Sequence, residues 1–310
     1  MLRLGLHLRA LLSREVTTIT RNPADVAGRM LTFAWIAVFV GLIFYNLPAT
    51  PEAVQLRLNL HYSNTSFFLL MPYISMSLYT SDRQYYLADI SSSLYRPIIY
   101  YIAKVCATLP ANLLSPVVFS LIIYGMAGLR HSALACVRVT TILSTLSLIA
   151  VQVLHCAAIL APNQDMAFMI AIGWTAVNLL MSNFFIMYSQ MAFDWLSQLR
   201  WISALGYAFG GLAREELSHA TYSCSQGIAP NLVSLLPRLL PNTPLLTSPL
   251  VSATLTNPGA NCELRGEALL EYFKLTRPFS ATLGILIGYL LVMHVLTYLA
   301  LVVVSRKERR

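Results

Sequence analysis

Along the chain, long apolar runs alternate with short polar breaks. A helix crossing roughly 30 Å of hydrocarbon needs about 17–25 mostly apolar residues. Six segments qualify, at about 31–47, 63–79, 103–126, 138–160, 166–190 and 280–304. Pro48 and Pro51 close the first, Asp82 and Arg83 the second, "AGLR" the third and "APNQD" the fourth. Another apolar stretch, "NLVSLLPRLLPNTPLLTSPLVSA", carries Pro237, Pro241, Pro244 and Pro249. Each proline removes a backbone donor and breaks a helix, and lipid offers the freed carbonyls no partner. That stretch is expected in an extramembrane loop.

The pattern predicts an all-α integral membrane protein with six transmembrane helices. Composition agrees: charged residues are 11% of the 310 and hydrophobic ones 57%, against roughly 25% charged for a soluble domain, and mean hydropathy is +0.64. The start, "MLRLGLHLRALLSREVTTITRNP", is interrupted by Arg3, His7, Arg9 and Arg14. It therefore reads as an amphipathic helix at the cytoplasmic interface rather than a signal peptide.

The formal charge of +8 reads as topology, and no aromatic-interleaved basic patch points to nucleic acid. With both termini cytoplasmic, that side holds Arg3, Arg9, Arg14, Arg21, Arg29, Arg83, Arg96, Lys104, Arg306, Lys307, Arg309 and Arg310. The short loops opposite offer Arg57, Arg130 and Arg138. Four regions follow: an amphipathic connecting helix over 1–29, spans one to five over 30–190, an outer loop over 191–279, and the last span with a basic tail over 280–310. Cys224 and Cys262 fall in that outer loop, where they form a disulfide or stay as two free thiols.

The polar segment "SDRQYYLADISSSLYRPIIYYIAK", residues 81–104, is long for a break between spans. Its tyrosines suit the membrane interface, and Pro97 marks the bend into the third span. It reads as a helix over about 81–100 along the cytoplasmic face, either a solvated loop or a docking element. Here the sequence resembles the ABC-2 type transmembrane domain of the G subfamily of ATP-binding cassette transporters. "SRE…TRNPADVAGRM" resembles the connecting helix of that family, and "AKVCATLPANLL" with "YGMAGLR" its third span and exit. "DWLSQLRWISALGYAFGGLAREEL" resembles its re-entrant outer helices, and "CELRGEALLEYFKL" the segment before the last span.

The resemblance implies that 81–100 is the coupling helix, with Asp82, Arg83, Asp89 and Arg96 meeting a nucleotide-binding domain. That domain would come from the same polypeptide or in trans and would bring ATP and Mg; the chain itself is expected to bind no cofactor or metal. It also implies a homo- or heterodimer in a lipid bilayer, with a cavity between the second and fifth spans of both copies. Phe67, Phe68 and Met71, together with Trp174, Asn178 and Met181, would line it; Phe184 and Phe185 would gate it. Trp174, Asn178, Met181 and Phe185 share one helical face by spacing alone, which ordinary packing explains equally well. "MSNFFIM" departs from the family's usual run at the gate.

No G-x-x-x-x-G-K-[ST] occurs, since none of the three lysines follows a glycine. H-E-x-x-H, C-x-x-C and G-x-S-x-G are missing too. His155 and His294 read as packing histidines. "GYAFG" and "GILIG" would permit close helix approach. The reading is a membrane domain of an exporter for lipid-like or amphipathic cargo. An ATP-independent six-span channel or secondary transporter is the alternative, and it would call for intramembrane charges or an inverted repeat.

Overall fold

Helix boundaries fall where the sequence removes a backbone donor or supplies a cap. The computed structural model describes residues 2–21, 23–48, 50, 53–91, 95–129, 132–185, 193, 195, 198–218, 220–223 and 263–308. Helix α1 (Leu2–Arg21) stops before Pro23, which opens α2 (Pro23–Ile43). The residue before a proline avoids helical geometry, while proline itself suits the first helical turn. The amphipathic segment thus ends at Arg21, short of 29, and the first apolar helix reaches back to Pro23.

Next comes α3 (Ala53–Leu70), then a 3₁₀ stretch, Met71–Ser75, and α4 (Met76–Ser91). Pro72 cannot donate to the ladder, which accounts for the tighter winding there. The apolar run at 63–79 is therefore shared between two helices, and residues 81–91 continue α4 rather than starting a separate helix. Pro97 opens α5 (Pro97–Met126), which runs on through Pro110 and Pro116. Helix α6 (Ala133–Leu160) follows, and then α7 (Gln164–Leu180), capped by Asn163 accepting from the Met166 amide. Sequence reading carried this last helix to 190. It stops ten residues earlier because Met181 caps it and Asn183 takes a left-handed φ of 64°.

A 3₁₀ turn, Gln198–Ile202, leads into α8 (Ala204–Leu217). Two three-residue strands pair antiparallel, β1 (Thr221–Ser223) with β2 (Glu263–Arg265), in the register Thr221↔Arg265 and Ser223↔Glu263. Short α9 (Gly266–Tyr272) and long α10 (Phe279–Glu308) complete the chain. Cys224 and Cys262 lie outside the described residues.

Among the described residues, four helices are long and apolar enough to cross a membrane, within Val26–Ile43, Pro97–Met126, Ala133–Leu160 and Phe279–Lys307. The other two predicted runs fall on α3, diluted by Arg57, Asn59, His61 and Asn64, and on the 17-residue α7. Helix α6 is the hub: 78% of its apolar window is buried, against 17% in α10, and it packs on α3, α4, α5, α7, α8 and α10. Phe68 is completely buried between Phe33 of α2 and Phe119 of α5, with ring centroids 5.6 and 5.0 Å away.

Geometry requires glycine at several positions, among them Gly266, where a Cβ would collide with the Leu217 carbonyl, and Gly128 and Gly211. Gly128 turns at φ 61°, where a Cβ would meet Asn46, beside the bonds Asn46 N to Met126 O and Leu47 N to Ala127 O that tie the ends of α2 and α5. At Gly211 a Cβ would press on Ile142 at 2.8 Å and Thr282 at 2.9 Å, so α8 meets α6 and α10 closely there. Gly284 and Gly288 of "GILIG" meet nothing within 4 Å. The close approach lies on α8 instead.

Candidate functional site

Charge is so scarce here that each buried charged group needs a partner. At one end of the bundle, Lys104 of α5 is ion-paired with Glu15 of α1 (Nζ–Oε2 3.0 Å) and with Asp82 of α4. Asp89, two turns further along α4, accepts from Arg14 Nη1 at 3.0 Å and from the Tyr95 hydroxyl at 2.7 Å. Burial, then the bond to Asp89, pushes the Tyr95 phenol well up, so it stays a donor. Arg83 Nε donates to the Ile159 carbonyl at the end of α6. Between the two carboxylates, Tyr86 is buried against Tyr100, with centroids 4.6 Å apart. Arg96 stands exposed just before α5.

This junction joins three segments that are far apart in sequence. Asp82, Tyr86 and Asp89 recur at i, i+4 and i+7, the inner face of α4. The outer face carries Ser81, Gln84, Tyr85 and Ala88, all exposed and spaced i, i+3, i+4 and i+7. Of the four residues expected at a coupling surface, Asp82, Arg83 and Asp89 thus bond within the chain. Arg14 and Glu15 went unnoticed in the sequence as their partners. The available signal was Lys104 itself, a lysine inside an apolar run.

The residues expected to line a cavity separate by role. Trp174 donates from Nε1 to the Tyr289 hydroxyl of α10 at 2.9 Å. Asn178 is completely buried; its Nδ2 donates to Trp174 O at 2.9 Å and its Oδ1 accepts from the Leu205 amide, tying α7 to α8. Phe67 and Met71 are half-buried against the main core, as is Trp174, and Met181 is partly exposed at the end of α7. Phe184 stacks on Tyr62 with centroids 4.0 Å apart and planes 7° from parallel, edge-on to Phe209. Phe185 meets Tyr62 edge-on but is 63% exposed. The bulky pair therefore forms an aromatic mouth over α3 and α8, one ring inside and one out.

The opposite end holds a second charged cluster. Arg57 of α3 is ion-paired with Glu216 of α8, and its Nη2 donates to Leu47 O at 2.7 Å. Arg138 of α6 pairs with Glu215 at 3.2 Å, its guanidinium 5.3 Å from the Phe279 ring. Sequence reading counted Arg57 and Arg138 as topology alone. Here they fasten "REEL" of α8 to two long helices. Deeper in the bundle, Tyr101 bonds His294 Nδ1 at 2.6 Å and accepts from Gln152 Nε2 at 2.8 Å, while His155 stacks on Tyr79. Among the described residues no three His, Cys, Asp or Glu side chains are grouped to hold a metal.

With this geometry in place, the comparisons are specific. The ABC-2 type transporter family matches residues 7–217, which covers both charged clusters and the aromatic mouth. Protein white of Drosophila melanogaster is 28% identical over 219 residues, 67% of this chain and 30% of its own length. The ATP-binding protein/permease wht-1 of Caenorhabditis elegans is 25% identical over 64% of this chain and 29% of its own. ABC transporter G family member 5 of Arabidopsis thaliana is 25% identical over 70% and 33%. The chain spans about a third or less of these relatives.

Proposed function

This chain belongs to the ABC-2 type transporter family, and from that we propose that it is the transmembrane domain of an ATP-driven exporter. An ATP-binding domain, on the same polypeptide or on a partner, supplies the hydrolysis. The observation that carries this reading is the junction of α1, α4 and α5. Driving membrane helices from outside takes a stiff element with different contacts in two states. Helix α4 offers a docking face at Ser81, Gln84, Tyr85 and Ala88. Behind it, Asp82 and Asp89 connect to Lys104 on α5 and to α1. A push on the outer face passes through these ion pairs into α5.

In this reading the junction is cytoplasmic, as the basic residues gathered on that side favour. Helices α3 and α7 supply the second and fifth of six spans. Helix α8, about 21 Å long at 1.5 Å per residue, is too short to cross and dips back into the outer leaflet. Two such domains pair, with the exposed apolar face of α7 (Met169, Ile170, Val177, Leu180) turned to the shared axis. Lipid-like or amphipathic cargo passes between them, and Phe184 and Phe185 close the outer end. In the oxidising environment of the outer side, Cys224 and Cys262 form a disulfide in this reading.

The test is cargo-stimulated ATP hydrolysis by the full-length transporter in vesicles, wild type against Gln84→Ala/Tyr85→Ala. We expect basal hydrolysis to persist and stimulation to fall about tenfold or more. Unchanged stimulation removes α4 as the transmission element.

A further inference from the structure

Away from the coupling junction, near the start of α10, lies a cavity of about 110 Å³ lined by Asn183, Arg200, Tyr207, Lys274, Arg277 and Thr282. Three of these are cations, and no carboxylate lines the cavity among the described residues. Among those residues the Lys274 ammonium and Arg277 guanidinium have no ion pair. Arg277 packs over Trp201 and Tyr207, 5.4 and 4.9 Å from their centroids, and Arg200 over Trp201 at 5.1 Å. For Arg277, such stacking uses the guanidinium's faces and keeps its N–H edges for an acceptor.

The backbone adds to the positive potential. The first turns of α8 and α10, which begin at Ala204 and Phe279, supply Gly206, Tyr207 and Thr282 to the wall. Helix N-termini carry partial positive charge. The wall is also built at a conformational cost. Asn183 and Lys274 take left-handed φ of 64° and 54°, two of three such non-glycine residues among those described. Asn183 Nδ2 holds the Phe273 carbonyl at 3.1 Å, and Arg214 holds that of Thr276. Strain of this kind persists where surrounding contacts over-determine the backbone, often at ligand clamps. Among the described residues no carboxylate pairs with Lys274 or Arg277, so an anion would complete their site.

We propose that this cavity binds a phosphate group, carried by an anionic amphiphile whose chains lie along the bundle. Trp201 and Ile202, 53% and 47% exposed beside the cavity, form the apolar side of such a site. The proposal does not depend on the transport reading. The protein, in its native complex in nanodiscs of neutral phosphatidylcholine, would be titrated with dioctanoyl phosphatidic acid. The readout is the tryptophan fluorescence change that Trp201→Phe abolishes. We expect saturable binding, weakened about tenfold or more by Lys274→Gln and by Arg277→Gln, with Arg277→Lys, which keeps the charge but loses the stacked fork, recovering only part of it. Dioctanoyl phosphatidylcholine should bind about tenfold more weakly or worse. Inorganic phosphate saturating the same signal with equal affinity would identify a free phosphate or monoester as the ligand and exclude the lipid. No saturable change with either, or one unaltered by both glutamine variants, would overturn the site.

Discussion

Lys104 shows how a single side chain can hold distant segments. Its ammonium is nearly buried between Glu15 and Asp82, so Lys104→Met leaves two neighbouring carboxylates without their cation. Removing one member of a buried ion pair costs about 3–5 kcal/mol. We predict a loss of about 3 kcal/mol, the Asp82 side chain being partly exposed, measured as the thermal stability of the purified protein. Arg57→Gln, which removes the guanidinium paired with Glu216, should cost as much. Arg57→Lys keeps the charge but loses the fork that also reaches Leu47 O, and should cost about 1 kcal/mol. A result near zero for Arg57→Gln would mean that the outer cluster does not fasten α8. The need for these partners was legible in the sequence; their identity was not. Nothing local links Glu15 to Lys104 or Arg57 to Glu216, because pairing across 89 or 159 positions is set by how helices pack.

Elements were read most accurately where hydrophobic length alone decides. The apolar runs at 103–126, 138–160 and 280–304 are α5, α6 and α10 with a few residues added at their ends. The second run was misread as one helix because hydropathy is blind to Pro72, which divides it into α3, a 3₁₀ turn and α4. The fifth was carried too far because an apolar "MSNFFIM" hides the left-handed turn at Asn183. The segment expected as one helix over 81–100 is instead the end of α4 and the start of α5, and its faces were not assigned. Charged residues were the natural choice for a docking surface, whereas α4 turns Asp82 and Asp89 inward and leaves Gln84 and Tyr85 outside. Close packing of α8 gives its own prediction. Gly211→Ala should destabilise the protein by about 1–3 kcal/mol, since the new methyl presses on Ile142 and Thr282, whereas Gly284→Ala, which meets nothing, should be neutral or slightly stabilising in the same thermal assay. Equal effects would argue against the packing of α8 on α6 and α10.

At the scale of the whole molecule, a helical bundle around α6 is fastened by ion pairs at both ends and offers an apolar face on α7. Alkylation before and after reduction, followed by intact mass, should show Cys224 and Cys262 protected together and Cys106, Cys136 and Cys156 as thiols. Free Cys224 and Cys262 in protein from an oxidising compartment would contradict the proposed disulfide. In the proposed mechanism, force from an ATP-binding domain enters through the outer face of α4 and crosses the junction to α5. Its most direct test places a single cysteine at Tyr85 or at Asp82 of the full-length transporter. Crosslinking to cysteines on the ATP-binding domain is then measured with and without a non-hydrolysable ATP analogue. Tyr85→Cys should crosslink, with a yield that changes on nucleotide binding, and Asp82→Cys should not. Crosslinking at position 82 alone, or a yield at 85 indifferent to nucleotide, would contradict it.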